Sequence, residues 1–301
     1  MLMALKLPQI IALLLVLMPA GAFAQAKVVT SIKPLQLIAA AITDGVSTPQ
    51  VLIPANQSPH HFSLRPSDVR RIEQADVLIW VGPGLETYLS RVIMQSARSS
   101  QIIEAAKLET MHLLDLQEED SAHEHEHEGH YDPHLWLNTG NAQLIAEALV
   151  IELEKLDSGN ASRYRGNLVS FQKQMQALEA QLQERFAALK SSQYAVYHNG
   201  THYFEEQFGL AHLFVLVPDH EQQPGIRHLL AVREQVQALQ PSCLLTDINA
   251  NDATINTVFQ DFTVRQAKLD TLGDGLAVTR DAYQQLIESL AQTIQDCLSP
   301  R

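Results

Sequence analysis

Three histidines occupy positions at which an α/β protein could bind a metal ion: His60, His134 and His198. His60 lies in SPHHFSLRPSD, shortly after the apolar stretch Val51–Pro54. His134 lies in DPHLW, and His198 ends the strand-like stretch YAVYH. Ligands of open α/β sheets bind beyond the carboxyl ends of the strands, where such turns lie. Three neutral imidazoles suit a tetrahedral zinc site with Zn–N distances of about 2.0–2.1 Å. Because the first two histidines come from one half of the chain and the third from the other, we predict a divalent-cation site in a cleft between the halves.

A second group of histidines alternates with acidic residues in HEHEHEGH, within a polar stretch that lacks apolar periodicity. This composition is typical of a flexible loop, which we predict over residues 112–131 as an insertion in the first half. Ordering a loop around a metal costs about 1–2 kcal/mol per residue fixed, so we expect auxiliary sites of lower affinity. The alternative is a solvated segment without metal function. The auxiliary candidates are His123, His125, His127 and His130.

The same segment matches the metalloprotease pattern H-E-x-x-H at residues 123–127. That pattern acts on a helix with an apolar face, which aims both histidines at one metal. Here the surroundings are low-complexity and acidic. The sequence also lacks a G-x-S-x-G elbow, a P-loop and a G-x-G-x-x-G fingerprint. We therefore do not expect an enzyme.

The N-terminus has the parts of a secretory signal peptide: a basic start, a short apolar run and the ending Ala22-Phe23-Ala24. A transmembrane helix needs about 20 apolar residues, and Pro19 and Gly21 interrupt this shorter run. We predict cleavage after Ala24 and export of the mature chain; a retained membrane anchor is the alternative. The net charge of −13 disfavours nucleic acid as a partner.

Two cysteines, Cys243 and Cys297, remain in the predicted exported chain. An even count in an oxidising compartment favours one disulfide, which would hold the C-terminal segment against the last third of the chain. Two unpaired buried thiols are the alternative. A cysteine metal site is disfavoured because the sequence has no CxxC spacing.

Stretches with strand character alternate with helical patterns along most of the chain, which predicts βαβ units and mostly parallel sheets. The predicted strands are Lys27–Ile32, Val51–Pro54, Asp76–Val81, Tyr194–His198, His212–Val217, Cys243–Ile248 and Gln266–Leu269. The predicted helices are Pro34–Ile42, Pro66–Gln74, Leu85–Gln95, Asn141–Leu156, Asn160–Leu189, Tyr203–Phe208, Ile226–Leu239, Ala253–Phe262 and Ala282–Cys297.

The longest helical pattern, Asn160–Leu189, would span about 45 Å at 1.5 Å per residue. One small α/β domain does not need such a length, so we predict a rigid helix that joins two α/β lobes. An ordinary long surface helix is the alternative. The predicted organisation is a signal peptide over 1–24, an N-terminal lobe over 25–157, a connecting helix over 158–190 and a C-terminal lobe over 191–301.

Four motifs in sequence order are similar to those of one known family. They are SPHHFSLRPSDVRRIEQADVLIWVGPGLETYL, DPHLWLN, YHNGTHYFEEQFGL and VPDHEQQPGIRHL. The chain resembles the cluster A-I metal-binding solute-binding proteins, which serve ABC importers for zinc and manganese. The resemblance extends over essentially the whole predicted mature chain.

The resemblance implies roles for individual residues. His60, His134 and His198 match the first, second and third ligands of the family, and histidine rather than a carboxylate at the third position implies zinc rather than manganese. Asp270 matches a carboxylate that is a ligand in manganese members, so we expect it near the site as a possible fourth ligand. Some relatives place a glutamate before the first histidine, where this chain has Pro59.

The resemblance and the positions of other residues lead to further expectations. His61 occupies a position that varies among relatives, and it has a smaller chance of being a ligand. Cys243 and Cys297 match cysteines that form a disulfide in gamma-proteobacterial relatives. Five more histidines are expected to be structural or surface residues: His112, His202, His212, His220 and His228.

As a function, the resemblance implies a periplasmic, monomeric Zn²⁺-binding protein that catalyses no reaction. Its partners would be an ABC permease and its ATPase in the inner membrane, with zinc as the transported ligand. The alternatives are the same architecture binding Mn²⁺ or another divalent metal, a secreted zinc hydrolase, and an extracytoplasmic metal buffer or adhesin without a transport partner.

Overall fold

The computed structural model describes residues 25–96, 101–115, 131–218 and 224–299. The predicted signal peptide and the histidines of HEHEHEGH lie outside the described residues, as does His220. Within the described ranges, no helix combines the length and the apolar character that crossing a bilayer requires.

The first half of the chain builds a sheet of four parallel strands in the order β2-β1-β3-β4. All four residues of β3 are buried, as their apolar sequence VLIW predicts for a strand covered on both faces. Strand β4 was not predicted, because a glutamine and a glutamate flank its two isoleucines and leave only a short apolar signal. The strands are β1 (Val28–Thr30), β2 (Gln50–Val51), β3 (Val77–Trp80) and β4 (Gln101–Glu104).

Four helices accompany this sheet, and two have clear start signals in the sequence. Pro66 is the first residue of α2, and the Asp68 carboxylate accepts the Arg65 amide over 2.8 Å. The Asn138 side chain caps α4 by accepting the Asn141 amide over 3.0 Å. The helices are α1 (Lys33–Thr43), α2 (Pro66–Glu73), α3 (Thr87–Ser96) and α4 (Thr139–Leu156).

The long helix α5 covers Ala161–Phe186, so it is 26 residues and about 39 Å long rather than the 45 Å predicted. Its buried side chains recur every three or four residues, and the helix packs against α1, α4 and the last helix of the chain, α9 (Ala282–Leu298). The helix therefore lies against both halves of the chain. The buried side chains of α5 are Tyr164, Phe171, Met175, Leu178, Leu182 and Phe186.

The second half contains a parallel sheet in the order β5-β6-β7. The predicted strand His212–Val217 runs along β5 and shares backbone hydrogen bonds with residues 194–197, but its regular pairing is limited to a bridge between Val196 and Val215. The elements of this half are β5 (Tyr194–Val196), α6 (His202–Phe208), α7 (Ile226–Leu239), β6 (Cys243–Asp247), α8 (Asp252–Phe259), β7 (Arg265–Leu269) and α9 (Ala282–Leu298).

A disulfide joins Cys243, at the start of β6, to Cys297, near the end of α9, as predicted. Helix α9, which the bridge ties to β6, also packs against α1 of the first half and against α5. One large buried core runs through the first sheet, α5, α9 and β5, and a smaller core lies among α7, α8 and β6. The fold is α/β with two parallel sheets, as predicted, whereas the limits of the two lobes stay a prediction.

Candidate metal centre

The structure brings the three predicted histidines into one cluster. The ring centroids of His60 and His134 are 5.4 Å apart, and those of His134 and His198 are 5.3 Å apart. Two imidazoles bound at about 2.0–2.1 Å to one tetrahedral zinc ion have ring centres roughly 5 Å apart. The spacing of neighbouring rings is therefore close to that of a shared zinc ion, although the residues are separated by more than sixty positions in the sequence.

The three rings are neighbours, but their ring nitrogens are not arranged around one common point. Within the ranges that the structure describes, no group of three or more His, Cys, Asp or Glu side chains is arranged so that it could hold a metal ion. Coordination of one ion by all three rings would therefore require the ring nitrogens to reorient.

His134 lies in a short segment between the predicted loop and α4, and it is 7 % exposed. Asp132 Oδ1 accepts the backbone amide of His134 over 2.9 Å and lies 2.7 Å from the Nδ1 atom of its ring. A carboxylate only accepts, so the proton of the neutral ring is on Nδ1 and Nε2 is the nitrogen that would coordinate a metal. The ring of Trp136 packs beside it at 5.3 Å.

His198 follows β5 by two residues, and its ring lies against a carboxylate as well. Its Nδ1 atom is hydrogen-bonded to Oδ2 of Asp247, the last residue of the neighbouring strand β6. A Cβ atom at Gly200 would lie 2.2 Å from Nε2 of His198, so the ring occupies space that only glycine leaves open. Burial and the nearby His134 lower the pKa of His198 well below its usual value, against an opposing effect of Asp132. The ring is thus neutral, the form that binds metal.

His60 lies in the loop between β2 and α2. Its backbone amide donates to Ser58 Oγ over 3.3 Å, and the Tyr88 hydroxyl donates to the carbonyl oxygen of Pro59 over 2.8 Å. Both bonds act on the peptide group that joins Pro59 to His60, so they fix the main chain just before the histidine. His61, the minority candidate, is exposed.

Asp270, the possible fourth ligand, closes a turn after β7. Its Oδ1 atom accepts the amides of Leu272 and Gly273 over 3.1 and 2.7 Å, and its Oδ2 atom accepts the amide of Asp274 over 2.7 Å. The next carbonyl, of Thr271, accepts the indole N–H of Trp136 over 3.0 Å. The turn therefore sits behind the ring that packs on His134, with both oxygens of Asp270 engaged by backbone amides.

Sequence reasoning missed the carboxylates beside the rings and one more buried acid, Glu86. Asp132 stands two residues before His134, a local spacing that could have drawn attention, whereas Asp247 gives no signal beyond its place at a strand end. Glu86 is completely buried, hydrogen-bonded to Ser31, and accepts the amides of Val81 and Gly82 over 3.2 and 3.1 Å.

The contacts of Glu86 tie together the carboxyl ends of β1 and β3. Burial raises its pKa from 4.5 to about 7, because the hydrogen bonds that favour the ionised form only partly offset the loss of solvation. A single acid in the otherwise uncharged stretch GPGLETYL was the available signal.

The remaining described histidines have contacts with protein groups, as expected of structural or surface residues. His112 Nε2 is 3.0 Å from Glu206 Oε2, and His212 Nδ1 is 2.8 Å from Glu205 Oε2. His228 Nε2 is 3.0 Å from the carbonyl oxygen of Leu216. His202 lies at the start of α6, close to Asp132.

Comparisons with known proteins find one family over nearly the whole chain. The profile of the family described as zinc-uptake complex component A, periplasmic (ZnuA), matches residues 28–297. The high-affinity zinc uptake system protein ZnuA of Yersinia pestis is 34% identical over 292 residues, which cover 91% of this chain and 92% of that protein.

Solved structures share the fold. A crystal structure of ZnuA aligns with a TM-score of 0.77 at 19% identity and covers 91% of this chain and 99% of that one. The solute-binding protein FpvC of Pseudomonas aeruginosa, in complex with Mn²⁺, aligns with a TM-score of 0.75 at 23% identity, covering 91% and 98%. The chain thus has the two-lobed fold of these proteins. The family match over nearly the whole described chain establishes that the chain belongs to the ZnuA family of periplasmic zinc-uptake components.

Proposed function

We propose that this chain is a periplasmic protein that binds Zn²⁺ through His60, His134 and His198 and delivers it to an ABC importer. The observation that carries the proposal is the cluster of three imidazoles at 5.3–5.4 Å between neighbouring centroids. The relative from Yersinia pestis is a high-affinity zinc uptake system protein by name, which supports zinc as the cargo.

The donor set favours zinc over manganese. Imidazoles suit zinc, whereas Mn²⁺ prefers carboxylate, carbonyl and water oxygens. Asp132 and Asp247 contact the Nδ1 atoms of their histidines, which makes them orienting groups in this arrangement. Asp270 remains our candidate for a fourth ligand, and using it would require one of its oxygens to give up a backbone amide or to share a lone pair.

The site is proposed to carry a metal and not to catalyse a reaction. Transport requires binding that is reversible at the permease, whereas hydrolysis requires a general base beside an open coordination position. We propose a monomer that is exported by the signal peptide 1–24 and works with a permease and an ATPase of the inner membrane.

Release of the ion is proposed to need only small shifts of the two halves. Helix α5 packs against α1, α4, α6 and α9, and the large core is continuous across both halves. A wide hinge opening would expose that core. X-ray scattering of the metal-free and zinc-loaded protein should therefore give nearly equal radii of gyration, and a large compaction on loading would contradict this step.

A competition titration tests the function. The wild-type protein and a variant lacking residues 122–130 are titrated with Zn²⁺ against a chelator, with Mn²⁺ as a competing ion. We expect one tight zinc site in both proteins, because the tight site excludes the auxiliary histidines, and weaker binding of Mn²⁺. Loss of tight binding in the deletion variant would move the site to the histidine-rich segment, and a preference for Mn²⁺ would overturn zinc as the cargo.

Delivery is tested in cells that carry the matching permease and ATPase. A strain that lacks this protein should grow poorly when zinc is chelated, and supplying the wild-type chain should restore growth and zinc accumulation. A chain with His134→Ala is the matched control, and it should be exported but should not restore growth. Equal growth with both chains would contradict delivery through this site.

A further inference from the structure

The first two residues of α6, His202 and Tyr203, reach from the second half of the chain to Asp132, the residue that contacts the His134 ring. The Tyr203 hydroxyl donates to the carbonyl oxygen of Asp132 over 2.8 Å and accepts the amide of Leu114 over 3.1 Å. Tyr203 is fully buried, and its hydroxyl uses both its donor and its acceptor capacity in these two bonds.

Asp132 connects these hydrogen bonds of Tyr203 to the proposed ligand His134. Its backbone amide donates to the carbonyl oxygen of Leu114 over 2.7 Å. The main chains at Leu114 and Asp132 are thus hydrogen-bonded to each other, and the Tyr203 hydroxyl is bonded to both. Its Oδ1 atom holds both the backbone amide and the Nδ1 atom of His134. A displacement of the Asp132 main chain is therefore passed directly to the ring of His134.

A second contact from α6 is incomplete. Nδ1 of His202 and Oδ2 of Asp132 are buried atoms without a hydrogen-bond partner among the described residues, and they face each other across 3.7 Å. A hydrogen bond to a carboxylate oxygen forms at about 2.7–3.2 Å, so an approach of less than about 1 Å would join the two atoms. His202 is four residues after His198 in the same short stretch of chain.

We propose that His202 and Tyr203 are positioning residues that set the His134 ring through Asp132, and that metal binding closes the hydrogen bond between His202 and Asp132. The inference rests on the zinc site proposed above. His202 and Asp132 lie on the chain segments that carry His198 and His134, so the reorientation of these two rings around a shared zinc ion would also move the facing atoms of His202 and Asp132. The bond stabilises the loaded state and slows dissociation of zinc.

The first test compares two deletions of a buried hydroxyl in the full-length protein: Tyr203→Phe and, as the matched control, Tyr194→Phe. Tyr194 is also buried in the second half, but its hydroxyl donates to Glu205 over 2.8 Å rather than to Asp132. Zinc affinity is measured by chelator competition, and the visible absorption of bound Co²⁺ reports the ligand geometry.

We expect Tyr203→Phe to weaken zinc binding about tenfold or more, the range for loss of an outer partner of a metal ligand, and to change the Co²⁺ spectrum. Tyr194→Phe should leave both unchanged while lowering the melting temperature. Wild-type affinity and spectrum in a folded Tyr203→Phe variant, or equal losses in the two variants, would overturn the inference.

The second test addresses the bond that closes on loading. His202→Asn places an amide N–H near the position of Nδ1, whereas His202→Leu removes the donor and keeps an apolar side chain. We expect zinc to dissociate about tenfold faster from His202→Leu and at close to the wild-type rate from His202→Asn. Equal rates for wild type and His202→Leu, or equally fast loss from both variants, would refute closure of this bond.

His134→Ala separates the two proposals in the same assays. Wild-type zinc affinity in His134→Ala would refute the proposed site itself. If His134→Ala loses zinc while Tyr203→Phe and His202→Leu bind and release it as the wild type does, the site stands and the positioning inference fails.

Discussion

In both His198 and His134, the Nδ1 atom of the ring contacts a carboxylate, but the main chains that carry the two carboxylates are held in place by different interactions. Asp247 ends β6, and its main chain pairs with Leu269 within a regular parallel sheet. Asp132 lies outside any helix or strand, and hydrogen bonds from Tyr203 and to Leu114 hold its main chain. One side of the site is thus fixed by sheet pairing, whereas the other depends on a few tertiary contacts that single substitutions can remove.

The largest effect is expected from removing a proposed ligand, whichever support it has. His134→Ala and His198→Ala should each weaken zinc binding by more than the roughly 10–100-fold that loss of an outer partner causes. Chelator competition measures this, with His228→Ala as a control because that ring contacts the carbonyl oxygen of Leu216. If only one of the two variants lost affinity, the two sides of the site would not share one ion.

The next effect should distinguish the two supports. Asp132→Ala and Asp247→Ala both remove a carboxylate beside a ligand, so both should weaken zinc binding within roughly 10–100-fold. We expect the larger loss for Asp132→Ala, because the Asp132 carboxylate holds both the backbone amide and the ring of His134, and no sheet pairing orients this segment once those two contacts are gone. The same titration decides the order, and a larger loss for Asp247→Ala would contradict the comparison.

A smaller effect is expected from protonation of His198, whose ring contacts the carboxylate at the end of β6. Burial and the neighbouring His134 lower the pKa of His198, so its neutral form is favoured in the folded protein. Its contribution to the free energy of unfolding is present above the reference pKa of about 6.5 and is lost as the pH falls towards the folded value. NMR titration of the metal-free protein should place its midpoint well below 6.5, and a midpoint at or above 6.5 would contradict the assignment.

The smallest effect on zinc binding is expected at Glu86, which braces the carboxyl ends of β1 and β3. Its pKa of about 7 lies above the ordinary value of 4.5, so the folded state binds this proton more tightly than the unfolded state. Its contribution is complete below pH 4.5 and declines up to about pH 7, by at most about 3 kcal/mol.

Urea unfolding of the wild type and of Glu86→Gln across this range measures that decline. The amide of glutamine cannot ionise, so the variant should lack this part of the pH dependence and should bind zinc with nearly wild-type affinity. An unchanged pH dependence, or a large loss of zinc affinity in the folded variant, would show that Glu86 does not act as a neutral structural brace.

Prediction from the sequence succeeded where a local pattern determines the structure. The buried strand at Val77–Trp80 follows from a continuous apolar run, and the helix at Ile226–Leu239 follows from a helical pattern. The prediction missed strand β4, because its apolar signal is only two residues long and the strand is defined by its pairing with β3. His212–Val217 has the pattern of a strand and shares backbone hydrogen bonds with residues 194–197, although its regular pairing is limited to the bridge between Val196 and Val215.

The proposed ligands could be chosen from motifs, but the groups around them could not. The positions of His60, His134 and His198 follow from turn placement and from the family resemblance. Tyr203 is separated from Asp132 by 71 residues, so no spacing rule relates the two, and only the fold reveals their hydrogen bond. Partners of this kind depend on tertiary contacts, which a single sequence does not encode in any local pattern.

Zinc K-edge X-ray absorption of the protein loaded with one equivalent of Zn²⁺ tests the central claim most directly. Spectra are compared for the full-length chain and for the variant lacking residues 122–130, which removes the auxiliary histidines. We predict the same spectrum from both, with three imidazole nitrogens at about 2.0–2.1 Å. A spectrum with fewer than three imidazoles, or one that changes when residues 122–130 are removed, would contradict a site formed by His60, His134 and His198.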